Sequence, residues 1–179
     1  MQPFQKDQVH NIICHECKPL HESIINGVLQ LLDDPATHKS HLFNGRYENI
    51  YISEQQLPAI SPILKTILDE GAKLLNNKPE NLKIGFWFNF MQKDDVTIAH
   101  SHDDDDELLS GTYYLQMPEE SGTLQLNFSP DNIVTIAPED AALTFFHPAV
   151  KHEVTQHHSP IPRISIGFNI GLKQDALQD

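Results

Sequence analysis

Two stretches in the second half of the chain alternate strictly with period two. In LKIGFWFNFM, residues 82–91, Ile84, Phe86, Phe88 and Phe90 fall on one side of an extended strand, with Gly85, Trp87, Asn89 and Met91 on the other. PRISIGFNI, residues 162–170, repeats the arrangement, setting Ile164, Ile166, Phe168 and Ile170 against Arg163, Ser165, Gly167 and Asn169. A helix would scatter both sets around its circumference, so these are strands, and something must cover one continuous apolar face. The opposite faces mix polar side chains with Trp87 and Met91. That mixture favours a polar-lined cavity over a face turned to bulk water.

Further short strands are expected at 110–117, 122–128, 132–137 and 142–147. Strands at this spacing, separated by turns, indicate a sandwich or barrel. The cover for the apolar face comes from the first half of the chain. Leu20, Ile24, Ile25, Val28, Leu31 and Leu32 lie on one face of a helix over 20–34, with Pro19 suited to its first turn and Asp33-Asp34-Pro35 ending it. A second helix is expected over 61–76, with Ser61 as N-cap, Pro62 at the first position, and Ile63, Leu64, Ile67, Leu68, Leu74 and Leu75 along its stripe. The polar segment 35–50 between them predicts irregular structure. No repeat or Gly/Ser/Pro-rich linker divides the chain, and 179 residues with 39% apolar content suit one domain over 1–179. Within it, 1–80 forms a helical part that supports a β core over 81–171.

Charge narrows the function classes. With 25 acidic against 12 basic residues, the net charge is −13, and a nucleic-acid partner is not expected because phosphate contacts need a basic face. No stretch has the length and apolarity of a membrane span, and MQPFQKDQVH lacks the apolar region of a signal peptide. Two cysteines and no export signal predict a cytoplasmic protein.

Eleven histidines are many for this length. The stretch AHSHDDDDE, residues 99–107, places His100 and His102 two apart, so on a strand both rings project to one side. Asp104 repeats the spacing with a carboxylate oxygen. Imidazole and carboxylate with open positions suit Fe(II), Mn(II) or Zn(II). A further ligand is expected from FFHPAVKHEV, which offers His147 and His152. His38, His41, His157 and His158 lie in polar, loop-like stretches and read as hydrogen-bonded imidazoles. At the N-terminus, His10, Cys14, Cys17 and His21 have a zinc-like spacing, but one continuous segment would have to fold tightly to present four ligands tetrahedrally. Buried, inert cysteines are the expectation there. There is no phosphate-binding glycine loop, G-x-S-x-G elbow or H-E-x-x-H helix.

Taken in order, Trp87-x-Asn89, Asp95, His100-x-His102, SGTYYL (110–115), SGTLQL (121–126), HEV (152–154) and RISIGFNI (163–170) resemble the 2-oxoglutarate/Fe(II) oxygenase family of bacteria and phages. More distantly they resemble the prolyl-hydroxylase type. The resemblance covers residues 85–171, and it implies a double-stranded β-helix (a jelly roll) with helices packed on one sheet. It implies Fe(II) held by a near pair of ligands and the distal His152, with 2-oxoglutarate and O2 as co-substrates. Arg163 matches the arginine that pairs with the far carboxylate of 2-oxoglutarate, since a guanidinium fork binds a carboxylate bidentately. Ser165 shares its face, and Asn89 and one of Tyr113 or Tyr114, here taken as Tyr114, are further candidates for the same co-substrate. Counted forward from Trp87 and Asp95, the near pair is His100 and His102. Counted back from SGTYYL, it is His102 and Asp104. The implied reaction converts 2-oxoglutarate to succinate and CO2 and hydroxylates a small-molecule or peptidyl substrate. A cupin-like metal enzyme that uses no oxo acid, and a non-catalytic binding module, are the alternatives. The substrate and the oligomeric state are not written in these residues.

Overall fold

The computed structural model describes residues 9–102 and 106–173. In chain order they form β1 (His10–Ile13), α1 (His21–Leu31), β2 (His38–Phe43), β3 (Arg46–Tyr51), α2 (Ser61–Leu74), β4 (Leu82–Met91), β5 (Thr97–His100), β6 (Glu107–Gln116), β7 (Leu124–Ser129), β8 (Asn132–Ile136), β9 (Ala142–Phe146), β10 (Lys151–Val154) and β11 (Arg163–Leu172). The strands make two antiparallel sheets, one in the order β1-β9-β6-β11-β4-β3-β2 and the other in the order β5-β10-β7-β8. Side chains of both sheets line one cavity between them, and α1 and α2 cover the outer face of the larger sheet. This is the jelly roll with helices on one sheet.

The two alternating strands sit side by side at the centre of the larger sheet, paired in register from Arg163↔Met91 to Leu172↔Leu82. Their apolar faces are therefore continuous. Phe88, Phe90, Ile164, Ile166, Phe168 and Ile170 join Ile24 and Val28 of α1 and Ile63 and Ile67 of α2 in one buried core. At about 25 cal/mol per Å2 of apolar surface, each such side chain contributes roughly 1.5–3 kcal/mol when fully buried.

The helix starts depart from expectation. Ser61 does not cap α2: a turn of 3-10 helix over Pro58–Ile60 runs straight into it, so Ser61 already has helical angles (φ −52°, ψ −41°) and makes no side-chain capping bond. α1 is likewise preceded by a 3-10 turn, His15–Leu20, which contains Pro19. The segment 35–50 is not irregular. It forms the hairpin β2–β3, whose two-residue loop Asn44-Gly45 has positive φ at both positions (48° and 80°). Those are the signs of the turn type whose twist matches paired strands, and Asn-Gly is its preferred sequence. The hairpin joins the sheet through β4, at Ile50↔Phe88, and becomes a wall of the cavity mouth.

Candidate active site

The register of β4, β6 and β11 stacks their cavity-facing side chains in rungs. Arg163 lies beside Met91, Ser165 between Asn89 and Tyr114, Gly167 between Trp87 and Thr112, and Asn169 between Gly85 and Ser110. Gly167 is dictated by the neighbouring ring: a Cβ there would lie 2.5 Å from an indole carbon of Trp87.

Across the cavity, β5 ends at His100 and β10 carries His152, paired directly opposite it. His102 does not lie on the strand, as its spacing from His100 suggested. Strand pairing stops at His100, and the backbone N–H of His102 instead donates to the Pro148 carbonyl (2.9 Å) in the turn between β9 and β10. The three rings still converge: one ring nitrogen from each lies within 4.8 Å of the others, and the ring centroids are 4.3 to 5.1 Å apart. A carbonyl only accepts, so Nδ1–H of His152 donates to Val150 O (3.0 Å) and Nδ1–H of His100 donates to Ile98 O (2.9 Å). Each bond fixes the ring and leaves Nε2 with its lone pair free, as metal ligation requires. Burial, then the nearby charge of His100, pushes His152 down to about 3. Burial, followed by the charges of His100 and His41, pushes His102 down to about 4. Both are therefore neutral at neutral pH, the form that binds metal.

Arg163 is 2% exposed. Its Nη1 donates to Ser165 Oγ (3.0 Å) and lies 3.5 Å from Met91 Sδ, while its guanidinium carbon sits 5.3 Å from the centre of the Tyr114 ring. Nε has no acceptor, and Arg163 forms no ion pair among the described residues. Burial lowers its pKa, opposing the charge that no carboxylate offsets. An uncompensated buried cation is costly, so this one calls for an anion. Among the described residues, Tyr114 Oη, beside the guanidinium, and Asn89 Oδ1 are also buried with no partner in hydrogen-bonding geometry. Tyr113 points to the helix side, with its hydroxyl 2.7 Å from His21 Nε2. Of the two tyrosines, Tyr114 is the one beside the arginine.

Other candidates are not brought in. His147 Nδ1 accepts the backbone N–H of Ala149 (3.2 Å) and is outside the imidazole group. Asp104 lies outside the described residues. In the N-terminal motif, Cys14 and Cys17 are buried free thiols and His21 is bound to Tyr113. Burial pushes the Cys14 thiol up to about 12, away from the thiolate that zinc would need. The sequence reading missed His41, Glu48, Asn49 and Tyr51, all on the hairpin. With Trp87, His102, Glu107 and Asn169 they surround an outer basin of about 360 Å3 next to the imidazoles. The Asn44-Gly45 pair was the signal for that hairpin.

These donors fit iron and a 2-oxo acid. Three converging imidazoles suit a first-row metal, and a guanidinium with no carboxylate partner among the described residues, and a hydroxyl beside it, suits a carboxylate.

Comparison with known proteins agrees. Residues 85–169 match the family model described as "Putative 2OG-Fe(II) oxygenase". Among solved structures, a prolyl-4-hydroxylase of Pseudomonas putida superposes with a TM-score of 0.73 at 15% identity, covering 93% of each chain. A prolyl hydroxylase of Trichoplax adhaerens, solved with a hypoxia-inducible-factor peptide fragment, gives 0.66 at 18% identity over 97% of this chain and 88% of that one. The epimerase SnoN of nogalamycin biosynthesis, solved with Fe3+, α-ketoglutarate and nogalamycin RO, gives 0.69 at 12% identity over 92% and 78%. At such identities the likeness is one of fold. No match was found among curated proteins by sequence. Over residues 85–169 the chain is thus similar in sequence to the 2OG-Fe(II) oxygenases, over most of its length it shares their fold, and its imidazole group could hold a metal ion.

Proposed function

We propose that His100, His102 and His152 hold the Fe(II), that Arg163 and Ser165 bind the far carboxylate of 2-oxoglutarate, and that the chain hydroxylates a small-molecule or peptidyl substrate. The observation that carries this reading is the pairing of three converging imidazoles with a buried arginine that has no carboxylate partner among the described residues. When bound, the iron supplies the redox chemistry that couples O2 to the conversion of 2-oxoglutarate into succinate and CO2.

The protein's part is positioning. The Nδ1–H bonds of His100 and His152 aim Nε2 into the cavity, and Arg163 and Ser165 set the depth at which the oxo acid stops. Tyr114 stacks against the guanidinium and Asn89 supplies a buried acceptor, so both border the same compartment. Trp87, tilted against His102 with centroids 5.5 Å apart, divides that compartment from the outer basin. His100 is taken as the remaining ligand because its ring lies 5.0 Å from that of His102 and 4.3 Å from that of His152, and three imidazole ligands would leave the metal's charge to be offset by the dianionic co-substrate. A metal enzyme without an oxo acid would leave the buried charge of Arg163 unexplained.

We also read the chain as one domain, because α1, α2 and β3 share their core with β4 and β11. The free buried thiols suit a reducing compartment such as the cytoplasm. Among the described residues no helix is long and apolar enough to cross a membrane.

The test is succinate formation from 2-oxoglutarate by protein loaded with Fe(II), together with Fe(II) affinity. His152→Ala should weaken Fe(II) binding by roughly 100-fold or more and abolish turnover, because it removes a ligand outright. Normal Fe(II) binding by that variant, or no succinate from the wild-type protein across a broad substrate panel, would sink the proposal.

A further inference from the structure

We propose that the substrate presents a cationic nitrogen group, an ammonium or a guanidinium, to Glu107 in the outer basin; this inference rests on the function proposed above. The argument begins with where the basin's hydrogen-bond donors go. Asn49 Nδ2 donates to Tyr51 Oη and to His41 Nδ1, each at 3.2 Å. Asn169 Nδ2 donates to Glu107 Oε1 (3.3 Å), while its Oδ1 accepts from Ser110 Oγ (2.7 Å). Asn89, at the inner edge, donates its Nδ2 to the Glu48 carbonyl (3.0 Å). Asn49 has spent both of its N–H groups within the protein, and Asn169 and Asn89 one each. Among the described residues the acceptors are not matched: Glu107 Oε2 and Asn89 Oδ1 have no donor.

The orientation of Asn169 is fixed by chemistry, because an ionised carboxylate only accepts. Ser110 and Asn169 thus form a relay that holds Glu107 at the basin wall. Rotation about the last bond of Glu107, which is soft, suffices to turn either oxygen to an incoming donor.

Charge points the same way. The basin's lining includes two carboxylates, Glu48 and Glu107, and no lysine or arginine. Glu48, 8% exposed, is paired with Arg46 at 3.0 Å, which leaves Glu107 without a cation among the described residues of the basin. Trp87 and Tyr51 supply aromatic faces that attract a desolvated cation. An anionic substrate would meet Glu107 and Glu48, and a purely apolar one would leave Glu107 Oε2 unpaired. The division is then complete: the inner compartment, with its unpaired guanidinium, takes the dianion, and the outer basin, with its unpaired carboxylate, takes the cation.

The experiment measures binding by calorimetry to protein loaded with Mn(II) and 2-oxoglutarate, using matched probes. Butylguanidine and butylurea represent a free small molecule; blocked tripeptides with a central arginine or citrulline, and with a central lysine or acetyl-lysine, represent a peptidyl source. In at least one source the cationic member should bind about 10-fold or more tightly than its neutral partner, and Glu107→Gln should shrink that ratio to within about threefold. Equal binding of charged and neutral members, no binding by any cationic probe, or a preference that survives Glu107→Gln overturns the inference. The wild-type ratio stands without the variant, so a misfolded Glu107→Gln protein does not remove the test. Binding of 2-oxoglutarate is read in parallel. Its absence would defeat the function proposed above, whereas normal 2-oxoglutarate binding without a cation preference defeats only this inference.

Discussion

The two faces of β4 and β11 are both buried, yet they differ in kind. On the helix side, Phe88, Ile164, Ile166 and Phe168 have no measurable exposure and find every partner within the chain. On the cavity side, Arg163 and Ser165 are almost as buried, but among the described residues Arg163 Nε, Tyr114 Oη and Asn89 Oδ1 have no hydrogen-bond partner. One face is finished by folding; the other is completed only by ligands. Burial therefore does not separate structural from functional residues here, and the accounting of unmet polar groups does.

The largest effect should come from breaking the finished face. Phe168→Ala removes an aromatic ring packed on Phe145, at 5.4 Å between centroids, and should cost about 3–5 kcal/mol of stability in denaturant unfolding. Protein that remains folded should keep its 2-oxoglutarate affinity; a large loss of affinity would show that the faces are not separable.

The opposite signature is expected on the unfinished face. Arg163→Met should weaken 2-oxoglutarate binding by roughly 100-fold, by loss of a buried charge-assisted pair. It should leave Fe(II) affinity within a few-fold. In the ligand-free protein the same change should raise stability by about 1–4 kcal/mol, since it removes an uncompensated buried cation and leaves an apolar chain beside Met91. A variant that is destabilised without ligand would mean that Arg163 serves the fold rather than the oxo acid.

The smallest expected effect is on pH dependence. His102 and His152 are held down to about 4 and about 3, both below their unfolded values. The unfolded chain therefore binds more protons than the folded one as pH falls below about 6.5. The stability of the metal-free protein should be at its plateau above that pH and decline towards pH 4, with a slope approaching two protons. His152→Gln should lower the slope by about one proton. An unchanged slope would show that this imidazole is not buried neutral.

Several features could be read from residue order alone. The alternation in 82–91 and 162–170 fixed which side chains share a face, because a strand's period is two whatever surrounds it. It therefore put Arg163 and Ser165 together, opposite Ile164 and Ile166. The helices were legible from their stripes, although Ser61 was not the cap, since the preceding 3-10 turn depends on how the chain arrives. The hairpin carried its signal in Asn44-Gly45, but the polar strands around that pair masked it. Their place in the sheet comes from pairing with β4, not from their own hydrophobicity.

The tertiary structure decided what no local pattern contains. Alternation says that Tyr113 and Tyr114 face opposite ways; only the pairing of Tyr114 with Ser165 says which one meets the arginine. Spacing offered both His147 and His152, and the pairing of β10 with β5 set His152 against His100. His102 reaches the same point from beyond the end of its strand, through a bond to Pro148. The outer basin depends wholly on such long-range placement, joining residues 41–51 to residues 87, 107 and 169. Sequence determines the parity of each strand because parity is local. Register between strands far apart in the chain is set by packing of the whole, and the site is a matter of register.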